Sequence, residues 1–171
     1  MKLRFDIRGN LQPYERVQVN IQEFKYNFVD SFDESSTRHD IFKKYSDYTE
    51  SFKSKVTDNF IQWINGSFVT NKRNPSDMDF VNLVDFSVVE EKEEVIRKEF
   101  IRSKALRKYG LDPYLLIIYP KKHKFQIYTE SDLAYWNDWF TKGRKNKRGV
   151  RHPKGYIELE IKQKAQKRWK T

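Results

Sequence analysis

The chain has no cysteine, which excludes a disulfide framework and any thiolate zinc site. Glycine and proline are scarce, at six and five of 171 residues, so few long loops are expected before the C-terminal region. No apolar run approaches the roughly 18 residues that would suggest a membrane span. The opening Met1-Lys2-Leu3-Arg4-Phe5-Asp6 meets charge too early for the apolar core of a signal peptide. A cytoplasmic protein with no membrane partner is the resulting expectation.

Aromatic residues are plentiful instead. Thirteen Phe, ten Tyr and four Trp can fill the core of one folded domain despite a polar overall composition. The charge is unevenly placed. Twelve of the 34 Lys/Arg but only two of the 24 Asp/Glu fall after residue 140, which leaves 22 of each sign over residues 1–140. The whole net charge of +10 therefore belongs to the last fifth of the chain. Such a block is either a solvated tail or a polyanion-binding surface, with nucleic acid the natural polyanion. Arg144, Lys145, Lys147, Arg148 and Arg151 are the candidate contacts, and Trp169 could stack on bases.

Local patterns divide the chain into elements. Leu3, Phe5 and Ile7 alternate with polar residues as a short strand ending at Gly9-Asn10. Asn20 with Glu23 reads as a helix cap, with Phe24 and Phe28 on one face. Thr37 with Asp40 could cap a longer helix, along which Ile41, Tyr45, Tyr48, Phe52 and Val56 form an apolar stripe. Strands are expected at Phe60–Ile64, Met78–Val84, Leu115–Tyr119 and Tyr156–Ile161, the last half-exposed. A helix is expected over Glu90–Tyr109, stopped by Gly110. Another, capped by Ser131, would carry Leu133, Trp136 and Phe140, and the cluster Trp136, Trp139 and Phe140 reads as core. Lys142–Lys154 reads as a basic loop. His39, His123 and His152 have no spacing that suggests a metal trio. Residues 1–161 thus read as a single domain and 162–171 as a basic tail.

The stretch Asn65-Gly66-Ser67-Phe68-Val69-Thr70-Asn71-Lys72-Arg73-Asn74-Pro75-Ser76-Asp77-Met78-Asp79 carries the chemistry. A strand leads into Gly-Ser, and Phe68–Lys72 could form a helical turn. Gly66 would let the backbone approach a triphosphate, with amides at a helix N-terminus and the Ser67 hydroxyl binding its oxygens. On a strand, Asp77 and Asp79 face one side together, and two such carboxylates suit Mg²⁺. Lys72 and Arg73, between the two halves, could reach phosphates.

A hydrophobic residue, Gly-Ser, a nine-residue spacer and Asp-x-Asp resemble the signature of the nucleotidyltransferases of the DNA polymerase β superfamily. The fuller Gly-Ser-Phe-Val-Thr, Pro and Asp-x-Asp string looks like an uncharacterised group of small bacterial proteins within it, similar to minimal nucleotidyltransferases. The resemblance implies an α+β nucleotidyltransferase fold, a mixed sheet flanked by helices with added N-terminal helices and a C-terminal strand. It also implies metal ions held by Asp77, Asp79 and a third carboxylate. Asp112 is the candidate for the third, with Asp85 the alternative. The implied activity is Mg²⁺-dependent transfer of a nucleoside monophosphate from an NTP, ATP or CTP, to an acceptor hydroxyl. RNA such as a tRNA end is the favoured acceptor and protein a possible one, in a toxin–antitoxin or phage-defence setting. The alternative is an inactive binding module of the same fold for nucleic acid or a partner protein.

Overall fold

A computed structural model describes residues 1–162, apart from the side chain of Arg102. Trp169 and nearly all of the expected basic tail lie outside the described residues. The short hairpin β1 (Arg4–Phe5) and β2 (Leu11–Gln12) comes first, followed by β3 (Arg16–Val19). Helix α1 (Ile21–Lys25) continues into a π-helical turn (Tyr26–Asp30), and α2 (Arg38–Lys55) leads to β4 (Phe60–Ile64) and β5 (Asp79–Asp85). Helix α3 (Phe86–Val95), a second π-helical turn (Ile96–Phe100) and α4 (Arg102–Tyr109) precede β6 (Asp112–Ile118). Helix α5 (Gln126–Phe140), the hairpin β7 (Lys142–Lys145) and β8 (Arg151–Pro153), and β9 (Tyr156–Ile161) complete the order. Among the described residues no helix is long and apolar enough to cross a membrane.

The main sheet is mixed, in the order β3-β9-β4-β5-β6. Its two outer pairs, β3/β9 and β5/β6, are parallel, and the inner pairs β9/β4 and β4/β5 are antiparallel. The architecture is α+β, helices on both faces of a mixed sheet.

The period of two along each strand decides which residues meet which helix. On β5, Phe80 and Val84 join the larger core, with Phe24, Phe28, Tyr45, Tyr48 and Phe52 of the α1 and α2 segments. Val81 and Leu83 face the other way, into a second core with Trp63, Leu116, Phe140 and Tyr156 that α5 closes through Leu133 and Trp136. Asp79 shares the parity of Val81 and Leu83. It therefore belongs to the α5 face, at the end where that core stops.

Several sequence expectations change. The capping box at Asn20 forms, with Glu23 N–H donating to Asn20 Oδ1 at 2.9 Å and Asn20 N–H to Glu23 Oε2 at 3.1 Å. The first strand stops at Phe5, because Asp6 accepts from the amides of Arg8 and Asn10 and turns the chain, which leaves Ile7 exposed. Thr37 does not cap α2; its hydroxyl donates to the Pro75 carbonyl, and the Arg38 amide finds Ser36 Oγ instead. The helix expected from Glu90 begins at Phe86, capped by Asp85, and breaks at Ile101 before resuming as α4. Ser131 lies inside α5. The basic loop contains the β7–β8 hairpin. Strand β9 lies between β3 and β4 and is buried on both faces over Tyr156–Leu159, with Glu158 accepting from Trp63 Nε1 at 2.8 Å and paired with Arg16 at 3.1 Å.

Candidate active site

Gly66 ends the approach from β4 in a left-handed conformation, φ +76°. The turn is zipped to the strand that follows: the Asn65 amide donates to Asp79 O at 2.7 Å and the Phe68 amide to Asp77 O at 3.0 Å. A methyl group at position 66 would lie 2.8 Å from both Asp77 O and Asp79 N, backbone atoms that cannot yield cheaply. Gly66→Ala therefore combines unfavourable φ with a backbone clash. It is expected to cost about 1–3 kcal/mol, read as a lower urea midpoint.

No helix follows this turn. Phe68–Lys72 forms a tight turn and one isolated bridge, Thr70 to Asn10, which corrects the expected helix N-terminus. The cause is Arg38, fully buried at the start of α2. Its guanidinium donates to the carbonyls of Phe28, Phe68, Thr70 and Lys72 at 2.6–3.0 Å and lies 3.9 Å from the Phe32 ring centroid. Burial lowers its pKa to about 10. Carbonyls that converge on one side chain cannot also all point along a helix axis.

Ser67 serves Asp77 directly. Its hydroxyl donates to Asp77 Oδ1 at 2.5 Å and its amide does so at 3.3 Å, while the amides of Ser76 and Asp77 donate to Ser67 Oγ. Ser67 thus orients a carboxylate, and it also lines the cavity described below. The other Asp77 oxygen pairs with Arg144 of β7 at 2.8 Å. Burial opposes ionisation of Asp77, but the Ser67 hydrogen bond, the Arg144 charge and Ser76 outweigh it and lower its pKa.

Asp79 is in the opposite state. Burial first, and then the charge of Asp77, raise its pKa; Arg144 and Lys154 offset this in part, and Asp112 adds to it. Among the described residues, none donates a hydrogen bond to its carboxylate. Asp112 stands beside Asp79 in the parallel β5/β6 register, accepts from Tyr114 Oη at 3.4 Å and lines an adjoining groove that shares Tyr114 as a wall. Asp85 sits at the far end of β5, occupied in capping α3 through Ser87.

Asp79 lines a cavity of about 460 Å³ between α5, the β7–β8 hairpin and the Gly66 turn. Its other charges are positive: Lys72, Lys142, Arg144, Arg151 and Lys154. Tyr114, Trp136, Trp139 and Phe140 form an aromatic wall. Lys154 is 95% buried, as its 5% exposure shows, and its Nζ donates to Gly66 O at 2.5 Å. Burial lowers its pKa to about 8 against the pull of Asp77 and Asp79. Asn65, also buried, donates to Phe140 O at 3.0 Å, and among the described residues its Oδ1 has no partner.

Of the residues singled out in the sequence, Gly66, Ser67, Asp77, Asp79, Lys72, Arg144 and Arg151 converge here. Arg73 does not: it pairs with Asp33 at 2.9 Å, outside the cavity. Lys145, Lys147 and Arg148 are exposed around the hairpin tip. Lys154, Asn65 and Tyr114 belong to the site and carry no sequence signal as isolated residues. Trp139, read as core, is instead 47% exposed at the cavity mouth.

Among the described residues no group of three His, Cys, Asp or Glu converges as a metal-binding set. The Asp pair fits a hard divalent cation on other grounds. Asp79 is a half-buried carboxylate with no donor, repelled by a neighbouring carboxylate, and a cation between the two would relieve both costs.

Residues 3–160 match a family model described as a family of unknown function, DUF6932. The chain belongs to that family. No curated protein and no solved structure matches it. Every residue of the cavity lies within the span shared with DUF6932.

Proposed function

We propose that this DUF6932 protein has the nucleotidyltransferase fold and transfers a nucleoside monophosphate from an NTP to an acceptor hydroxyl, with Mg²⁺ as cofactor. One observation carries the reading: a carboxylate pair stands at the edge of a cavity whose remaining charges are all positive and whose far wall is aromatic. Carboxylates suit a metal ion, cations suit a polyphosphate and rings suit a base.

Asp77 and Asp79 would hold Mg²⁺, which would supply positive charge to the phosphates and make the acceptor hydroxyl more acidic. Lys72, Lys142, Arg144 and Arg151 bind the triphosphate, and Lys154 fixes the Gly66 turn from behind. Trp136 and Tyr114 hold the base and exclude water. The acceptor oxygen bonds to the α-phosphorus as the bond to the β-phosphate oxygen breaks, releasing pyrophosphate. The acceptor's proton passes to Asp112. An RNA end is the acceptor that the basic hairpin favours.

The Arg144–Asp77 ion pair favours a second reading, a binding module without turnover, because a guanidinium already neutralises one of the two proposed metal ligands. Calorimetric titration of each NTP with Mg²⁺ separates the two. Metal-dependent binding of one NTP, abolished in Asp77→Ala/Asp79→Ala, is the expected result. A folded protein that binds no NTP would leave only the module.

A further inference from the structure

Helix α5 presents aromatic side chains to solvent that the fold does not require. Tyr128, Tyr135 and Trp139 are 57%, 58% and 47% exposed, and their spacing of seven and four residues puts them on one helical face. Tyr135 and Trp139 are parallel within 10°, with centroids 6.4 Å apart. That is near the far end of the range for stacked pairs, so their faces are little used on each other. Contiguous exposed apolar surface of this kind marks an interaction site.

Its surroundings identify the partner's chemistry. Arg151 lies over the Trp139 ring at 4.9 Å, and Trp139 and Arg151 both line the cavity that Asp79 lines. The adjoining β7–β8 hairpin carries Lys145, Lys147 and Arg148, none of them in an ion pair among the described residues. Lys142 is paired with Asp138. Asp132 lies on the aromatic face itself, between Tyr128 and Tyr135, where it would repel phosphate. A strand bound here therefore has its bases over the rings and its phosphates on the hairpin side. A duplex, with its bases stacked internally, offers these rings only the outer face of each terminal pair.

We infer that Tyr135 and Trp139, with the β7–β8 hairpin, form a binding platform for the unpaired end of a nucleic-acid strand. The bases stack on the two rings, and the terminus lies at the cavity that holds Asp79. This deepens the transferase reading by naming the acceptor as single-stranded, and it rests on that reading only for the use made of the terminus.

The test is fluorescence anisotropy with labelled single-stranded RNA, the same sequence as DNA, and a blunt duplex. NTP and Mg²⁺ are omitted, so failure of the transferase reading does not affect the result. Either single strand is expected to bind more tightly than the duplex. Tyr135→Ala/Trp139→Ala should weaken single-strand binding at least about fivefold with the salt dependence kept, and Tyr135→Phe/Trp139→Phe should restore it. Lys145→Ala/Lys147→Ala/Arg148→Ala should flatten the salt dependence, since each phosphate contact contributes about 0.7 to the slope for single strands. Equal binding of duplex and single strand, or an alanine variant that binds like the wild type, would overturn the platform. Absence of binding to any nucleic acid would overturn it too, and would turn the aromatic face over to a protein partner.

Discussion

Arg38→Ala is expected to remove about 3–5 kcal/mol of folding stability, measured by urea denaturation. The side chain is fully buried, and among the described residues no carboxylate pairs with it. Its value lies in satisfying the carbonyls of Phe28, Phe68, Thr70 and Lys72, three of which belong to the loop after Gly66. Truncation leaves these carbonyls without donors, at about 1–3 kcal/mol for each that stays buried, and opens a cavity beneath Phe32 and Phe68. Arg38→Lys keeps the charge but has three donors on one nitrogen, which cannot span four carbonyls on different sides. It should fall between the wild type and Arg38→Ala. A wild-type midpoint for Arg38→Ala would show that the loop is held by its own turns.

The same substitution reaches the site. The 68–72 loop is tied to Ser67 by the Thr70 hydroxyl, which donates to Ser67 O at 2.7 Å, so its amides should exchange faster in Arg38→Lys even where global stability largely survives. One buried arginine thus couples the start of α2 to the orientation of a carboxylate more than thirty residues away.

What the sequence displayed was local. The Asn20/Glu23 capping box involves partners three residues apart, and the electrostatic effect of Asp77 on Asp79 is between residues two apart in the chain. The features that escaped depend on distant partners. Phe68–Lys72 reads as helix until Arg38, some thirty residues earlier, claims its carbonyls. Strand β9 reads as half-exposed because Glu158 is charged, yet its partners are Arg16 and Trp63, brought together only by the strand order. Ser131 is a good cap in isolation, but α5 has already begun at Gln126 because the Thr129 hydroxyl donates to Ile117 O and accepts from the Tyr119 amide, fixing the first turns against β6. Trp139 has helical spacing suited to packing; its exposure follows from where α5 ends relative to the sheet. Lys154 looks like one more cation in a basic segment, and only the fold shows it buried under Gly66.

The two carboxylates should respond to mutation with opposite signs. Asp79→Asn is expected to stabilise the apo protein at pH 7 by about 0.5–2 kcal/mol, the range common for single stabilising substitutions. Asp77→Asn should destabilise it by about 1–2 kcal/mol, because charge-assisted hydrogen bonds from Ser67 and an ion pair with Arg144 become neutral contacts. The pH dependence follows from linkage. Asp79 has a raised pKa in the folded state, so its ionisation is a cost to folding at neutral pH, relieved as pH falls through the folded value toward the unfolded one near 3.9. Asp77 has a lowered pKa, so its contribution is present above about 3.9 and lost as pH falls through the folded value. Thermal denaturation of both variants between about pH 3 and 7 measures this directly, and added Mg²⁺ with NTP should raise the wild-type Tm alone. If Asp79→Asn instead lowers Tm in the apo protein, Asp79 has a donor in solution, and the electrostatic case for a cation between the two carboxylates fails with it.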